Sequence, residues 1–449
     1  MVLDFLLQVW TDNHDREAIV WRDEAYTYGW LIERFGDWKR TLENEKIART
    51  SVTVLEADFS PNAVALFFAL LDHSCILVPL TASVKAKRDE FVSIAQGEFS
   101  FAIGDRDFVS IKRLSYTAEH PLYTQLRNNG HPGIVLFSSG STGESKAAVH
   151  DMVPLLDKFK QRRPSLRTIT FLLYDHIGGV NTMLHTLSNA GCIITVQERH
   201  PDVVLEAIEK YKAELLPTSP TFLNLVLMTE AYKRHDLSSL KTISYGTEPM
   251  PEFTLRRFHE LFPRLNLQQT YGLSELGILR SKSKDANSLW VKIGGEGFET
   301  RVVDGTLQIK ARSAMLGYLN APSPFTEDGW FNTGDVVEVD GDHIRFLGRK
   351  SEVINIGGEK VYPAEVESVI EELPSIAQAV VYGEKNAITG SIVCADVTPS
   401  AAAAQLDHKE VISSIKQHCR DRLQKYKVPV KVKIVTESHY TERFKKSRR

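Results

Sequence analysis

The chain has 449 residues, 43% hydrophobic and 25% charged, enough for two to four units of about 100–200 residues, each with its own core. Its 54 Lys and Arg against 57 Asp and Glu leave a formal net charge of −3, which excludes a global basic field for holding nucleic acid or an anionic membrane. The four cysteines, Cys75, Cys192, Cys394 and Cys419, form no C-x-x-C pair, so reduced thiols in a cytoplasmic protein are expected rather than a disulfide framework or a zinc site.

The opening stretch from Met1 to Trp10 lacks a basic n-region and carries Asp4, unlike a secretory signal. Ser51–Leu55 reads as a strand, Asn62–Leu71 as a buried helix and Cys75–Val78 as another strand. The longest apolar run, Ala63–Leu71, is far below the roughly 18 residues of a membrane span. Ile134–Phe137, Thr168–Leu173 and Cys192–Val196 read as further buried strands, with helices at Pro201–Tyr211 and Thr221–Thr229. Alternation of this kind predicts parallel-type sheets covered by helices.

From Gly297 the texture changes to short strands at Thr300–Val303, Thr306–Lys310, Val336–Val339 and His343–Phe346. Asp340-Gly341-Asp342 joins the last pair as a hairpin turn. The pattern then restarts, with a helix at Pro363–Glu372, strands at Ala377–Tyr382 and Ser391–Val397, a helix at His408–Leu423 and a strand at Val430–Val435. The fold class expected is α/β. A large N-terminal domain over 1–348 ends in a β-rich subdomain (about 297–348), and a small mobile α+β lid domain spans 349–449, jointed near Arg349.

The chemistry concentrates in Ser138-Ser-Gly-Ser-Thr-Gly-Glu-Ser-Lys146, directly after the strand Ile134–Phe137. Glycines and hydroxyl residues in a loop offer backbone N–H groups and O–H donors to an anion, and Lys146 adds a point charge. The order of residues excludes both the Walker loop, which ends in Gly-Lys-Ser/Thr, and the G-x-S-x-G nucleophile elbow. An exposed Ser/Gly linker is the plainer alternative.

With the pieces that follow it, the segment resembles the phosphate-binding loop of the acyl-adenylate-forming ligases: acyl-CoA synthetases, aryl-acid ligases, peptide-synthetase adenylation domains and firefly-type luciferases. Tyr245-Gly-Thr-Glu-Pro249 resembles the family's adenine-flanking loop and Tyr271-Gly-Leu-Ser-Glu275 its Y-G-x-[ST]-E motif. Gly329-Trp-Phe-Asn-Thr-Gly-Asp335 resembles the ribose-binding stretch, and Gly348-Arg349 with Gly357–Glu367 the joint and the start of the small domain. Thr441-Glu-Arg-Phe-Lys445 with Arg448 resembles the terminal T-x-x-G-K-x-x-R.

The resemblance implies activation of a carboxylic acid by ATP and Mg²⁺, then transfer of the acyl group to CoA or to a carrier protein's phosphopantetheine. It implies that Ser138, Ser139, Gly140, Ser141, Thr142, Gly143 and Lys146 hold the β- and γ-phosphates. Gly246, Thr247 and Glu248 would flank the adenine, with Tyr271 and Gly272 against it and Ser274 on the α-phosphate. Glu275 would hold Mg²⁺, Asp335 would accept the ribose hydroxyls, and Arg349 would add a ribose or phosphate contact. Lys445 would touch carboxylate and α-phosphate as they join. Standing alone, Tyr271 reads as packing, Glu275 as a helix N-terminal charge, Asp335 as a turn residue and Lys445 as part of a solvated basic tail.

Asp175-His176-Ile-Gly-Gly179 resembles the segment lining the acid pocket, with His176 as the gate, Ile177 in the slot where amino-acid-activating domains carry Asp, and Gly178 and Gly179 leaving space. An apolar Ile177 cannot balance a buried ammonium, which disfavours an α-amino acid; one residue's shift in register would put Asp175 there instead. Gly357 and Gly358 would line the pantetheine tunnel and Ser351 would be the hinge. The chain departs from the family's pattern at Phe444, where Gly is usual, at Ser351, where Asp or Lys is, and at Ser145 and Ala147 beside Lys146. Phe444 and Ser351 alone support the rival reading of a catalytically silent nucleotide-binding protein, and retention of Lys146, Glu275, Asp335 and Lys445 speaks against it.

Overall fold

The computed structural model describes residues 2–139, 144–285, 287–387, 389–400, 403 and 406–435. Three seven-stranded sheets carry the first three quarters of the chain, followed by a small unit with a two-stranded and a three-stranded sheet. The helix Pro61–Asp72 shows why the body is layered. Each residue from Ala63 to Leu71 is fully buried, so this helix has no solvent face and must lie inside. Ser60 caps it through its side chain and Pro61 opens its first turn. Its apolar cluster takes Ile19 and Ile193 from one sheet and Leu55, Leu77, Ile134 and Leu136 from another, which places helices between the two sheets. Trp10 anchors this layer, edge-on to Phe68 at 5.1 Å and with its indole N–H donating to the Leu187 carbonyl.

Both sheets flanking this layer have parallel centres, as expected, and carry antiparallel strands at their edges. Glu17–Trp21 pairs parallel with Cys192–Ile194 but antiparallel with Glu24–Thr27, and Val52–Glu56 pairs parallel with Ile76–Leu80 and Phe99–Ile103. Phe99–Ile103 turns back antiparallel into Val109–Arg113. The run read as a strand over Thr168–Leu173 is one only over Arg167–Ile169. Past it the chain leaves the sheet, and Tyr174 is held away by its hydroxyl's hydrogen bond to the Ala57 carbonyl at 2.5 Å.

The third sheet is antiparallel throughout. It takes its first strand at Tyr271–Leu273, well before Gly297, and holds the ladder Phe331–Asp340 with His343–Arg349. The two-residue turn Gly341-Asp342 closes that ladder, with Gly341 at φ +61° as such turns demand. The small C-terminal domain has its own apolar cluster, drawn from Ile354 to Ile434. It touches the body where the Asn224 side-chain amide donates to the Ala377 carbonyl at 2.9 Å. Among the described residues no helix is long and apolar enough to cross a membrane.

Candidate functional site

The Ser/Gly loop joins two antiparallel strands, Gly133–Ser139 and Ser145–Asp151, and Ser138 and Lys146 are register partners. Ser138, Ser139, Ser145 and Lys146 are therefore strand residues at the base of the loop rather than loop residues. Gly140, Ser141, Thr142 and Gly143 lie outside the described residues. Asn320 clips the base: its side chain accepts from the Ala147 N–H at 3.0 Å and donates to the Ser145 carbonyl at 2.8 Å. Lys87 adds its ammonium to the Ser145 hydroxyl at 3.1 Å.

The segment that supplies Asn320 also supplies Gly317-Tyr318, an edge strand paired antiparallel with Ala148 and Val149. That pairing sets the Tyr318 ring under the Lys146 ammonium, 5.4 Å from the ring centroid. The Tyr318 hydroxyl donates to Glu275 Oε1 at 2.5 Å. Burial, then the Glu275 carboxylate, pushes the Tyr318 phenol far above its usual range. Cation, aromatic ring and carboxylate thus form one chain of contacts. Glu275 lies in the turn between Tyr271–Leu273 and Gly277–Ser283, so it caps no helix. His150, on the strand that carries Lys146, puts Nε2 2.6 Å from the Ser274 carbonyl and ties the segment Tyr271–Glu275 to the Lys146 hairpin. Burial holds its imidazole below the usual pKa, so it is neutral and its Nε2–H donates.

Tyr271 stacks on Phe346 at 4.5 Å and 16° and donates its hydroxyl to Asp335 Oδ2 at 2.6 Å. Arg349 approaches the other carboxylate oxygen at 3.4 Å, and Asp335 and Arg349 are register partners across the strand pair. Burial raises the Asp335 pKa, while Tyr271 and Arg349 pull it down. Asp335 is thus a strand residue in a polar cluster with Tyr271 and Arg349, not a turn residue. Gly246 has no room for a Cβ, which would stand 2.6 Å from the Thr270 carbonyl; Thr247 follows at φ +75°. Glu248 accepts from the Thr221 N–H at 2.8 Å, in the first turn of Pro220–Met228. Gly272 is likewise closed, a Cβ there meeting the Gly277 carbonyl at 2.7 Å.

The expected acid pocket is partly redrawn. His176 precedes the helix Ile177–Ser188 in extended backbone geometry and is half-buried. Ile177 belongs to the apolar core between the sheets. The missing Cβ of Gly179 leaves no space for a ligand, because the Leu173 carbonyl oxygen would lie 2.0 Å from it. At Gly178 the nearest atom to a Cβ is the Leu172 side chain, 3.1 Å away. Asp175 accepts from the Thr81 hydroxyl at 2.7 Å, a buried tie between two loops. Gly357 and Gly358, at φ +59° and +96°, form a hairpin turn between Ile354–Ile356 and Glu359–Val361. Nothing lies within 4 Å of a Cβ at either, so backbone conformation requires the glycines. Ser351 is exposed in a short turn after Arg349. Lys445 and Phe444 lie outside the described residues.

Residues 7–318 match the family described as AMP-binding enzyme, and residues 365–445 match the AMP-binding enzyme C-terminal domain. The chain belongs to that family. This AMP-binding enzyme is 28% identical to the indoleacetate–CoA ligase of Aromatoleum aromaticum (strain DSM 19018 / LMG 30748 / EbN1), over 68% of its own length and 64% of the relative's. It is 24% identical to the 2-succinylbenzoate–CoA ligase of Enterococcus faecalis (strain ATCC 700802 / V583), over 93% of its length and 91% of the relative's. An anthranilate CoA ligase solved with anthranoyl-AMP superposes with a TM-score of 0.84 at 18% identity, over 99% of this chain and 95% of that one. The acyl-adenylate-forming fold is thereby shown for this AMP-binding enzyme.

Proposed function

We propose that the protein activates a carboxylic acid with ATP and passes the acyl group to the thiol of CoA. The observation that carries this is the continuous tie from Lys146 through Tyr318 to Glu275, with Ser274 held by His150 and Asp335 by Tyr271 and Arg349. These contacts tie the hairpin that carries Lys146 to the segment Tyr271–Glu275, whose Tyr271 reaches Asp335. In the first step an acid oxygen bonds to the α-phosphorus of ATP, the bond to the bridging oxygen breaks, and pyrophosphate leaves. In the second the thiolate sulfur bonds to the acyl carbon and AMP leaves.

Lys146 sits at the phosphate end, and its ammonium opposes the charge that accumulates there. Asp335 is placed to accept ribose hydroxyls, and Tyr271 to border the adenine. Glu275 suits Mg²⁺, a cation commonly held by one or two carboxylates plus substrate phosphates; among the described residues no cluster of three or more His, Cys, Asp or Glu forms an all-protein cage. Bound there, Mg²⁺ would supply Lewis-acid neutralisation of phosphate charge. Lys445 is our choice for the ammonium acting as carboxylate and phosphate join. With Ile177 in the core and Asp175 tied to Thr81, the acid is aryl or acyl rather than an α-amino acid, in keeping with relatives named for indoleacetate and 2-succinylbenzoate.

The test is acid-dependent ATP–pyrophosphate exchange over aryl, fatty and amino acids, followed by thioester analysis with CoA and with a holo carrier protein. Exchange with an aryl or acyl acid, lost in Glu275→Ala and Lys445→Ala, is expected, with CoA as acceptor. Thioester on the carrier protein alone would replace CoA by that acceptor. ATP binding with no exchange for any acid would overturn the reading in favour of a silent nucleotide-binding protein.

A further inference from the structure

Lys158 ends in an environment that the chemistry above does not use. Its ammonium donates to the Asn181 side-chain oxygen at 2.6 Å and to the Ile278 carbonyl at 3.0 Å, both neutral. Around it the charge is of one sign. Arg280 and Arg163 both donate to the Gln161 side-chain oxygen, the latter at 3.0 Å, and His185 faces Lys158 and Arg163 from the helix. Among the described residues none of Lys158, Arg163 and Arg280 pairs with a carboxylate. A half-buried ammonium ordinarily has an anionic partner, and here none of the described residues supplies one.

The position gives that vacancy a meaning. Asn181 lies five residues along the helix from His176, a rise of about 7.5 Å. Ile278 follows the turn that holds Glu275 and is the register partner of Gly272. Two elements that leave the proposed reaction centre therefore converge on one cation. Resting on the proposed acid activation, we propose that Lys158 is a specificity determinant that binds a second carboxylate of the substrate, so that the preferred acid is a dicarboxylate. Arg163 and Arg280 add a favourable field at the same end.

The experiment compares linear α,ω-dicarboxylic acids of increasing length with their monomethyl esters, which match them in length and lack one charge. Pyrophosphate exchange and direct calorimetric binding are both read. Wild type should show a KM at least about tenfold lower for the best diacid than for its half-ester. Lys158→Met should erase that advantage while leaving the half-ester's KM and kcat unchanged, and Lys158→Arg should restore part of it. Asn181→Asp keeps the lysine but places a carboxylate beside it, and should give the same selective loss; melting curves check that each variant folds. Equal use and equal binding of diacid and half-ester by wild type would overturn the proposal while exchange with either leaves acid activation standing. A variant effect on the KM for CoA, with the diacid's unchanged, would overturn it too. Absence of exchange with diacid binding intact would sink the activation reading instead.

Discussion

The Tyr318 phenol is a single hydroxyl between the Lys146 hairpin and the carboxylate proposed for the metal. Its bond to Glu275 fixes one carboxylate oxygen, and a hydrogen bond to a charged group contributes about 1.5–3 kcal/mol. Tyr318→Phe should therefore slow exchange about tenfold at limiting Mg²⁺ and raise the Mg²⁺ concentration needed for half-maximal rate, with less effect at saturating metal. Asp335 offers a test by pH. Burial raises its pKa, and Arg349 is one of the groups opposing that rise. The folded carboxyl binds its proton more tightly than the unfolded one, so this group adds stability as pH falls through its folded pKa. Ribose hydroxyls need the ionised acceptor, so nucleotide affinity should fall over that same range. Arg349→Ala should move the loss of affinity to higher pH, measured by fluorescent ATP-analogue titration. Lys158 runs the other way. Burial, then Arg280, holds its ammonium down to about 7. The groups facing it are Arg280, His185, Asn181, the Ile278 carbonyl and the Phe159 ring. A diacid's advantage over its half-ester should fade as pH rises through 7, when that proton leaves.

Between the residue and the molecule, the helix Ile177–Ser188 depends on one missing methyl. A Cβ on Gly179 would lie 2.0 Å from the Leu173 carbonyl oxygen, and overpacking against backbone costs about 1–3 kcal/mol or more. Gly179→Ala should lower the urea midpoint accordingly, whereas Gly178→Ala, facing the movable Leu172 side chain, should cost less than about 1 kcal/mol. This glycine pair also marks how far the sequence reaches. Helices Asn62–Leu71 and Pro201–Tyr211 and the hairpin at Gly341-Asp342 were legible because apolar period and turn chemistry act locally. Lys146, Glu275 and Asp335 stood out because each lies within a contiguous motif, and their roles belong to the proposed function. Tyr318, Asn320, His150 and Lys158 were not legible, because each acts on a partner more than twenty residues away or lies outside any motif. The antiparallel edges were hidden for a related reason. A buried strand shows the same apolar run whichever way its neighbour points, so Phe99–Ile103 turning back into Val109–Arg113 leaves no local trace.

At the scale of the whole molecule, the cluster spanning Ile354 to Ile434 shares no member with the cores of the body. Two cores of this kind are two cooperative units. Calorimetry should resolve two unfolding transitions, and an ATP analogue at about a hundred times its Kd should stabilise the larger unit by about 2.7 kcal/mol. A single transition that moves as one with ligand would show that contacts such as Asn224 to Ala377 weld the units together. The joint between them has a further consequence, for inheritance. Asp335 and Arg349 face each other because Phe331–Asp340 and His343–Arg349 are held in one register by a two-residue turn. A codon gained or lost in that turn would move every later residue of the second strand to the opposite face. Evolution can exchange the exposed side chains of this ribbon one at a time, but its length is heritable only as it stands.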